Sequence, residues 1–237
     1  MSRYYNFGYK PKAKRKDPAT QLAKMRKKDP DISPIVIEGR KIAQTWWGMA
    51  WNKNLESYAD YSNRIGRGRS YVINGAVIDL RITPGAATAL VQGSQSAPYR
   101  IDIKIDPLSQ KTWAAITKKC SHKLSSVEEL VSGKFPEEFA EMFTSKGDGL
   151  FPSPKEIHFN CSCPDWASMC KHVAASLYGI GARFDQDPTL FFLLRNIDFK
   201  ELLKKSVDEK MRNMLKNANK VTTRVITDID TQVLFGV

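Results

Sequence analysis

The sequence predicts an α+β fold: an N-terminal antiparallel sheet with flanking helices, then a small ββα-like unit, then a C-terminal helix. Three observations carry that expectation. Apolar residues recur at helical spacing after Thr45, apolar and polar residues alternate strictly from Tyr99 to Ile105, and three of the four cysteines fall between residues 161 and 172. The 237 residues, 42% hydrophobic and 26% charged, match ordinary globular composition and exclude a largely disordered or collagen-like chain. No run of about 18 apolar residues occurs. The first twenty residues are aromatic and basic without an apolar signal region, so no membrane span or Sec-type export is expected and the cytoplasm is the expected compartment.

Residues 1–31 read as a basic arm. They hold ten Lys/Arg against three Asp, more than half of the chain's net +12, whereas residues 151–197 balance at four and four. A concentrated arm beside a near-neutral body is a local polyanion-binding device. Lys10, Lys12, Lys14, Arg15 and Lys16 are its candidate phosphate contacts, and Tyr4, Tyr5 and Tyr9 can stack on bases. The alternative is a solvated tail whose aromatics dock on the protein's own body. Pro11 and Pro18 interrupt any helical pattern, so order is expected to begin near Ile32.

Residues 32–149 read as an N-terminal α+β domain. Thr45 looks like a helix cap, and Trp47, Trp51, Leu55 and Tyr58 then share one face, which belongs in a core. Arg64, Arg67 and Arg69 lie on a stretch broken by Gly66 and Gly68. This predicts an arginine loop that contacts phosphates or is solvated or internally paired; the Gly-Lys-Ser/Thr ending of a nucleotide-hydrolase loop is absent. Residues 71–73, the pair Asn74-Gly75 and residues 76–82 read as a hairpin. A strand over residues 88–91 follows the turn at Pro84-Gly85, and Tyr99, Ile101, Ile103 and Ile105 alternate with Arg100, Asp102 and Lys104. Two short helices are expected around residues 127–131 and 136–143.

Residues 150–197 carry the decisive chemistry in the pattern C-x-C-x6-C-x-H. Cys161, Cys163, Cys170 and His172 supply three soft thiolates and an imidazole, the set suited to one tetrahedral zinc ion, and two close pairs make closing the shell easy. Residues 156–160 read as a strand that aims the first pair. The second pair must sit where a helix over residues 173–180 begins, because positions i and i+2 deep in a helix point about 200° apart. Gly179 and Gly181 look like its end. Four protein ligands leave no place for a catalytic water, so the ion is expected to be structural. His158 is at most an outer-sphere residue, and Cys120 with His122 shows no third catalytic partner. No H-E-x-x-H or nucleophile-elbow pattern occurs, and no small-molecule substrate or enzymatic activity is expected.

The spacing, with the helix continuing through Val173-Ala174-Ala175, resembles the SWIM zinc finger. Leu150-Phe151-Pro152, Cys161-Ser162-Cys163-Pro164-Asp165-Trp166, Met169-Cys170-Lys171-His172, Asp187-Pro188 and Leu193-Leu194-Arg195 extend the likeness to bacterial stand-alone SWIM proteins. So do Trp46-Trp47-Gly48, Tyr58-Ala59-Asp60-Tyr61-Ser62-Asn63-Arg64 and Gly68-Arg69-Ser70-Tyr71-Val72, giving a span of residues 40–197. The resemblance implies zinc on Cys161, Cys163, Cys170 and His172, binding of DNA or protein, and companionship with a Swi/Snf-type helicase. The expected role is a nucleoid-associated adaptor that grips DNA through phosphates; the alternative is a purely protein-binding zinc module. Residues 198–237 form the tail, where Leu202, Leu203, Val207, Met211 and Leu215 share an apolar helix face over residues 199–215.

Overall fold

The computed structural model describes residues 17–57, 62–121, 140–145, 149–165, 167 and 169–218. Lys10, Lys12, Lys14, Arg15, Lys16, Tyr58, His122, residues 127–131 and Trp166 lie outside them, as do the side chains of Cys120, Leu202 and Leu203. The expected α+β architecture is present: among the described residues, helices pack against an antiparallel sheet of four strands that pair in chain order.

Order begins before Ile32, with helix α1 at Pro18–Arg26. Asp17 caps it by accepting from the Thr20 N–H at 3.1 Å, and Pro18 at the first turn starts the helix, where a missing N–H costs nothing. Helix α2, Trp46–Glu56, is capped by Thr45, which accepts from the Gly48 N–H at 3.2 Å. Its expected inner face holds: Trp51 and Leu55 are buried.

Helix α3 occupies Ser62–Ile73, which corrects two expectations. The arginine stretch is not a loop, and residues 71–73 are not a strand. Ile65, Gly68 and Val72 form a buried stripe at helical spacing, so the two glycines do not break the chain. A Cβ on Gly68 would stand 2.5 Å from the Ala174 Cβ; the bare backbone is what lets α3 lie against a second helix. Asn74-Gly75 ends this helix instead of turning a hairpin. Gly75 adopts φ +66°, its N–H bonds to Val72 C=O and the Ala76 N–H to Tyr71 C=O, the paired closure that follows many helix ends.

Strands β1 (Val77–Thr83) and β2 (Ala86–Val91) are joined at Pro84-Gly85, with Gly85 at φ +68°. Strand β3, Tyr99–Ile105, pairs with β2 on one side and β4, Ile157–Cys161, on the other. The alternation read in β3 is real: Tyr99, Ile101, Ile103 and Ile105 are buried while Arg100 and Lys104 are exposed. Helix α4, Gln110–Ser121, was not foreseen; α5, Ala140–Thr144, falls partly within the second expected short helix.

Helix α6, Lys171–Gln186, lies over the inner sheet face and packs most extensively on α3 and α2. It runs through both glycines expected to end it. Gly179 faces Ile35 and Leu80, and Gly181 faces Trp51 and Asn52, so they permit close packing where a Cβ would collide. Helices α7, Thr189–Leu194, and α8, Phe199–Ala218, complete the described chain. Trp51 centres the core: its indole N–H donates to Leu177 C=O at 2.9 Å, and Phe184, Phe151 and Phe191 present edges to it at 5.2, 5.8 and 6.4 Å between centroids.

Candidate metal centre

The fold delivers the four sequence-picked ligands from two directions. The β3–β4 register pairs Ile101 with Cys161, so Cys161 ends the edge strand on its inward side, facing α6. The chain leaves the sheet under control: Ser162 N–H bonds to Arg100 C=O, and the Ser162 hydroxyl accepts from Arg100 N–H, both at 3.0 Å. Cys170 is the N-cap of α6 in extended conformation, and His172 lies within the first turn. An extended cap beside a first-turn residue resolves the 200° problem of an i, i+2 pair inside a helix.

Sγ of Cys161, Cys163 and Cys170 and a ring nitrogen of His172 lie within 4.8 Å of one another. His172 Nδ1 is 3.7 Å from Cys170 Sγ and 4.0 Å from Cys161 Sγ. A tetrahedron with Zn–S bonds of about 2.3 Å has edges of about 3.6–3.8 Å. The observed separations are therefore of the size of coordination edges. Cys170 and His172 are buried and Cys161 and Cys163 half-buried, so the cluster can hold one metal ion close to the surface while shielding two of its ligands.

The thiols show what a cation would relieve. Cys170 is held down to about 3, first by the hydrogen bond from Cys161 and, against the opposing effect of burial, by His172 and the Val173 N–H at the helix start. Cys161 is pushed up, chiefly through its hydrogen bond to Cys170 and then by burial. Burial is the main cause raising Cys163. Three adjacent thiols thus favour one negative charge among them until a metal stabilises the rest.

The imidazole is gripped on its flanks. Tyr99 stacks on it with centroids 4.3 Å apart and Tyr71 meets it edge-on at 5.5 Å. Both tyrosines, from β3 and α3, read in the sequence only as strand residues; nothing local marks them as neighbours of a histidine more than 70 residues later.

Arg64 has a role that the sequence did not reveal. Its guanidinium pairs with Asp165 at 2.6 Å, tying α3 to the loop between the two ligand pairs, and Asp165 also accepts from the Ala167 N–H. Arg69 approaches Glu56 at 3.6 Å, while Arg67 is exposed. The three arginines therefore sit in three different settings. His158 is on the outer sheet face, bonded to Asp106 at 3.0 Å, and is not part of the ligand cluster's surroundings.

No family model matches the chain. No solved structure matches it. It is similar to uncharacterized protein Rv2102 of Mycobacterium tuberculosis (strain ATCC 25618 / H37Rv), with 40% identity over 163 residues. That match covers 68% of this chain and 58% of the relative, so the chain aligns with little more than half of the relative's length.

Proposed function

We propose that the chain carries one structural zinc ion on Cys161, Cys163, Cys170 and His172 and acts as a non-enzymatic, SWIM-type adaptor that contacts DNA beside a Swi/Snf-type helicase. The observation that carries the zinc reading is the convergence of three sulfurs and one imidazole within 4.8 Å, a donor set that suits zinc and completes a tetrahedral shell. A filled shell holds structure and leaves no site for an activated water. The DNA reading rests on the charge of residues 1–31, whose lysines would neutralise phosphates without reading bases. Its test is duplex and single-strand DNA binding by the full chain across a salt series. Replacing Lys10, Lys12, Lys14, Arg15 and Lys16 by Gln should weaken binding and flatten the salt slope. Binding that is unchanged, or absent from both proteins at low salt, would refute it.

One observation favours protein contact as a second reading. Val207, Met211, Met214 and Leu215 are 49–65% exposed and share one face of α8, and they are most of the exposed large apolar side chains among the described residues. Spacings of four, three and one along a helix are those of an anchor row for a partner's groove.

A further inference from the structure

The imidazole of His172 faces the Cys161 and Cys170 thiols through Nδ1. A neutral histidine that binds a metal through Nδ1 must carry its proton on Nε2, and that N–H needs an acceptor. Here Nε2 is buried and has no partner. Among the described residues, the other orphaned buried side-chain atoms are Asn52 Oδ1, Gln92 Oε1 and Arg195 Nε. Arg195 Nε is a donor and cannot help. Asn52 Oδ1 lies against Gly181, nine residues further along α6, about 13 Å away at 1.5 Å per residue.

Gln92 immediately precedes the residue that lies against the imidazole. It is fully buried, its amide nitrogen donates to Gly93 C=O at 3.1 Å and Gln95 C=O at 2.8 Å, and these bonds identify Oε1 as the free end. The next residue, Gly93, lies directly against the imidazole: a Cβ there would come within 2.8 Å of His172 Nε2 and would overlap the Tyr99 ring. The glycine against the orphaned His172 Nε2 is thus preceded by a residue whose own buried acceptor lacks a partner. The stacked Tyr99 and edge-on Tyr71 restrict the ring from turning towards any other acceptor.

We propose that the Gln92-Gly93 turn is the outer clamp of the metal centre. Gln92 Oε1 accepts the His172 Nε2 proton through one buried water, and Gly93, which carries no Cβ, leaves the space beside Nε2 for it. Gln92 is a positioning residue: it fixes the tautomer and ring orientation that offer Nδ1 to the metal. This rests on the metal reading of Cys161, Cys163, Cys170 and His172.

The probe is Co2+ added to the full chain, read by its thiolate charge-transfer and d–d absorption and by competition with a chelator. Gln92→Met should weaken Co2+ binding about 10- to 100-fold and move the d–d bands. Gln92→Glu keeps an acceptor but gives up both amide donations, so its melting temperature should fall before metal is added while its Co2+ bands stay closer to the parent's than those of Gln92→Met. Wild-type affinity and bands in Gln92→Met would overturn the clamp while leaving the metal site intact. Equal losses of Co2+ affinity and equal band shifts in both variants would assign Gln92 a packing role and also overturn it. A parent chain that takes up no Co2+ removes the clamp together with the metal reading.

Discussion

Helices α6 and α8 are the two longest in the described chain, and they differ in what covers them. Every residue of α6 from His172 to Ala182 is buried. Helix α8 leaves Val207, Met211, Met214 and Leu215 open to solvent. The reason lies in side-chain size. Ala174, Ala175, Gly179 and Gly181 let α2, α3 and the sheet close around α6 from several sides, whereas α8 carries long apolar and cationic residues and packs on α4 and α7. A helix surrounded in this way is a rigid mount for two metal ligands at its first turn. A helix covered on one side retains a surface for other contacts.

Variants that loosen α6 should cost the most. Trp51→Ala removes the ring that fills the space between α2 and α6 and its bond to Leu177 C=O, and should destabilise by about 3–5 kcal/mol in denaturant titrations. Gly68→Val attacks the contact between α3 and α6. Its side chain would meet Ala174 Cβ and backbone atoms at 2.5–2.9 Å, and the expected loss is about 1–3 kcal/mol, visible as a lower melting temperature. An unchanged melting point in Gly68→Val would show that α3 and α6 are not in this close contact.

Smaller effects are expected where ion pairs tie the mount to its surroundings. Arg64→Ala breaks the Asp165 pair and should cost at most about 1 kcal/mol, since both side chains retain some solvent access. Its sharper readout is faster loss of metal to a chelator, because the loop between the ligand pairs loses its tether. Glu156 is held below the ordinary carboxyl range: burial alone would raise it, but the Ser153 N–H and the buried Arg195 outweigh that. A lowered folded pKa stabilises the fold above the ordinary carboxyl value, and the contribution is lost as pH falls through the folded one. Glu156→Gln should therefore flatten the stability profile on the acid side of about pH 4.5. On α8, Met214→Gln should change stability by no more than about 0.5 kcal/mol. A larger loss would mean that the open face of α8 is part of the core and that the contrast between the two helices fails.

Much of the fold was legible from local pattern. The alternation of Tyr99 to Ile105, the Thr45 cap with its Trp51 and Leu55 face, and the C-x-C and C-x-H pairs flanking a strand end and a helix start all survive in the structure. What failed was the reading of glycine. Locally Gly68, Gly179 and Gly181 read as breaks, yet each lies where another element approaches too closely for a side chain, a fact fixed by tertiary neighbours. Asn74-Gly75 suits a hairpin turn and a helix end alike, and the buried stripe of Ile65, Gly68 and Val72 decides between them. Around the candidate site, the ligands were readable because their spacing is local. Tyr71, Tyr99, Gly93 and the Arg64–Asp165 pair were not, because the sheet register and the α3–α6 contact bring them together from distant positions.

The central claim is that Cys161, Cys163, Cys170 and His172 hold one zinc ion. Elemental analysis of the purified full chain, beside Cys170→Ser and His172→Ala, tests it most directly. One zinc per parent chain is expected, with a substoichiometric, chelator-labile content in either variant. A parent chain that neither contains nor takes up zinc, or variants that retain a full equivalent as tightly as the parent, would contradict it.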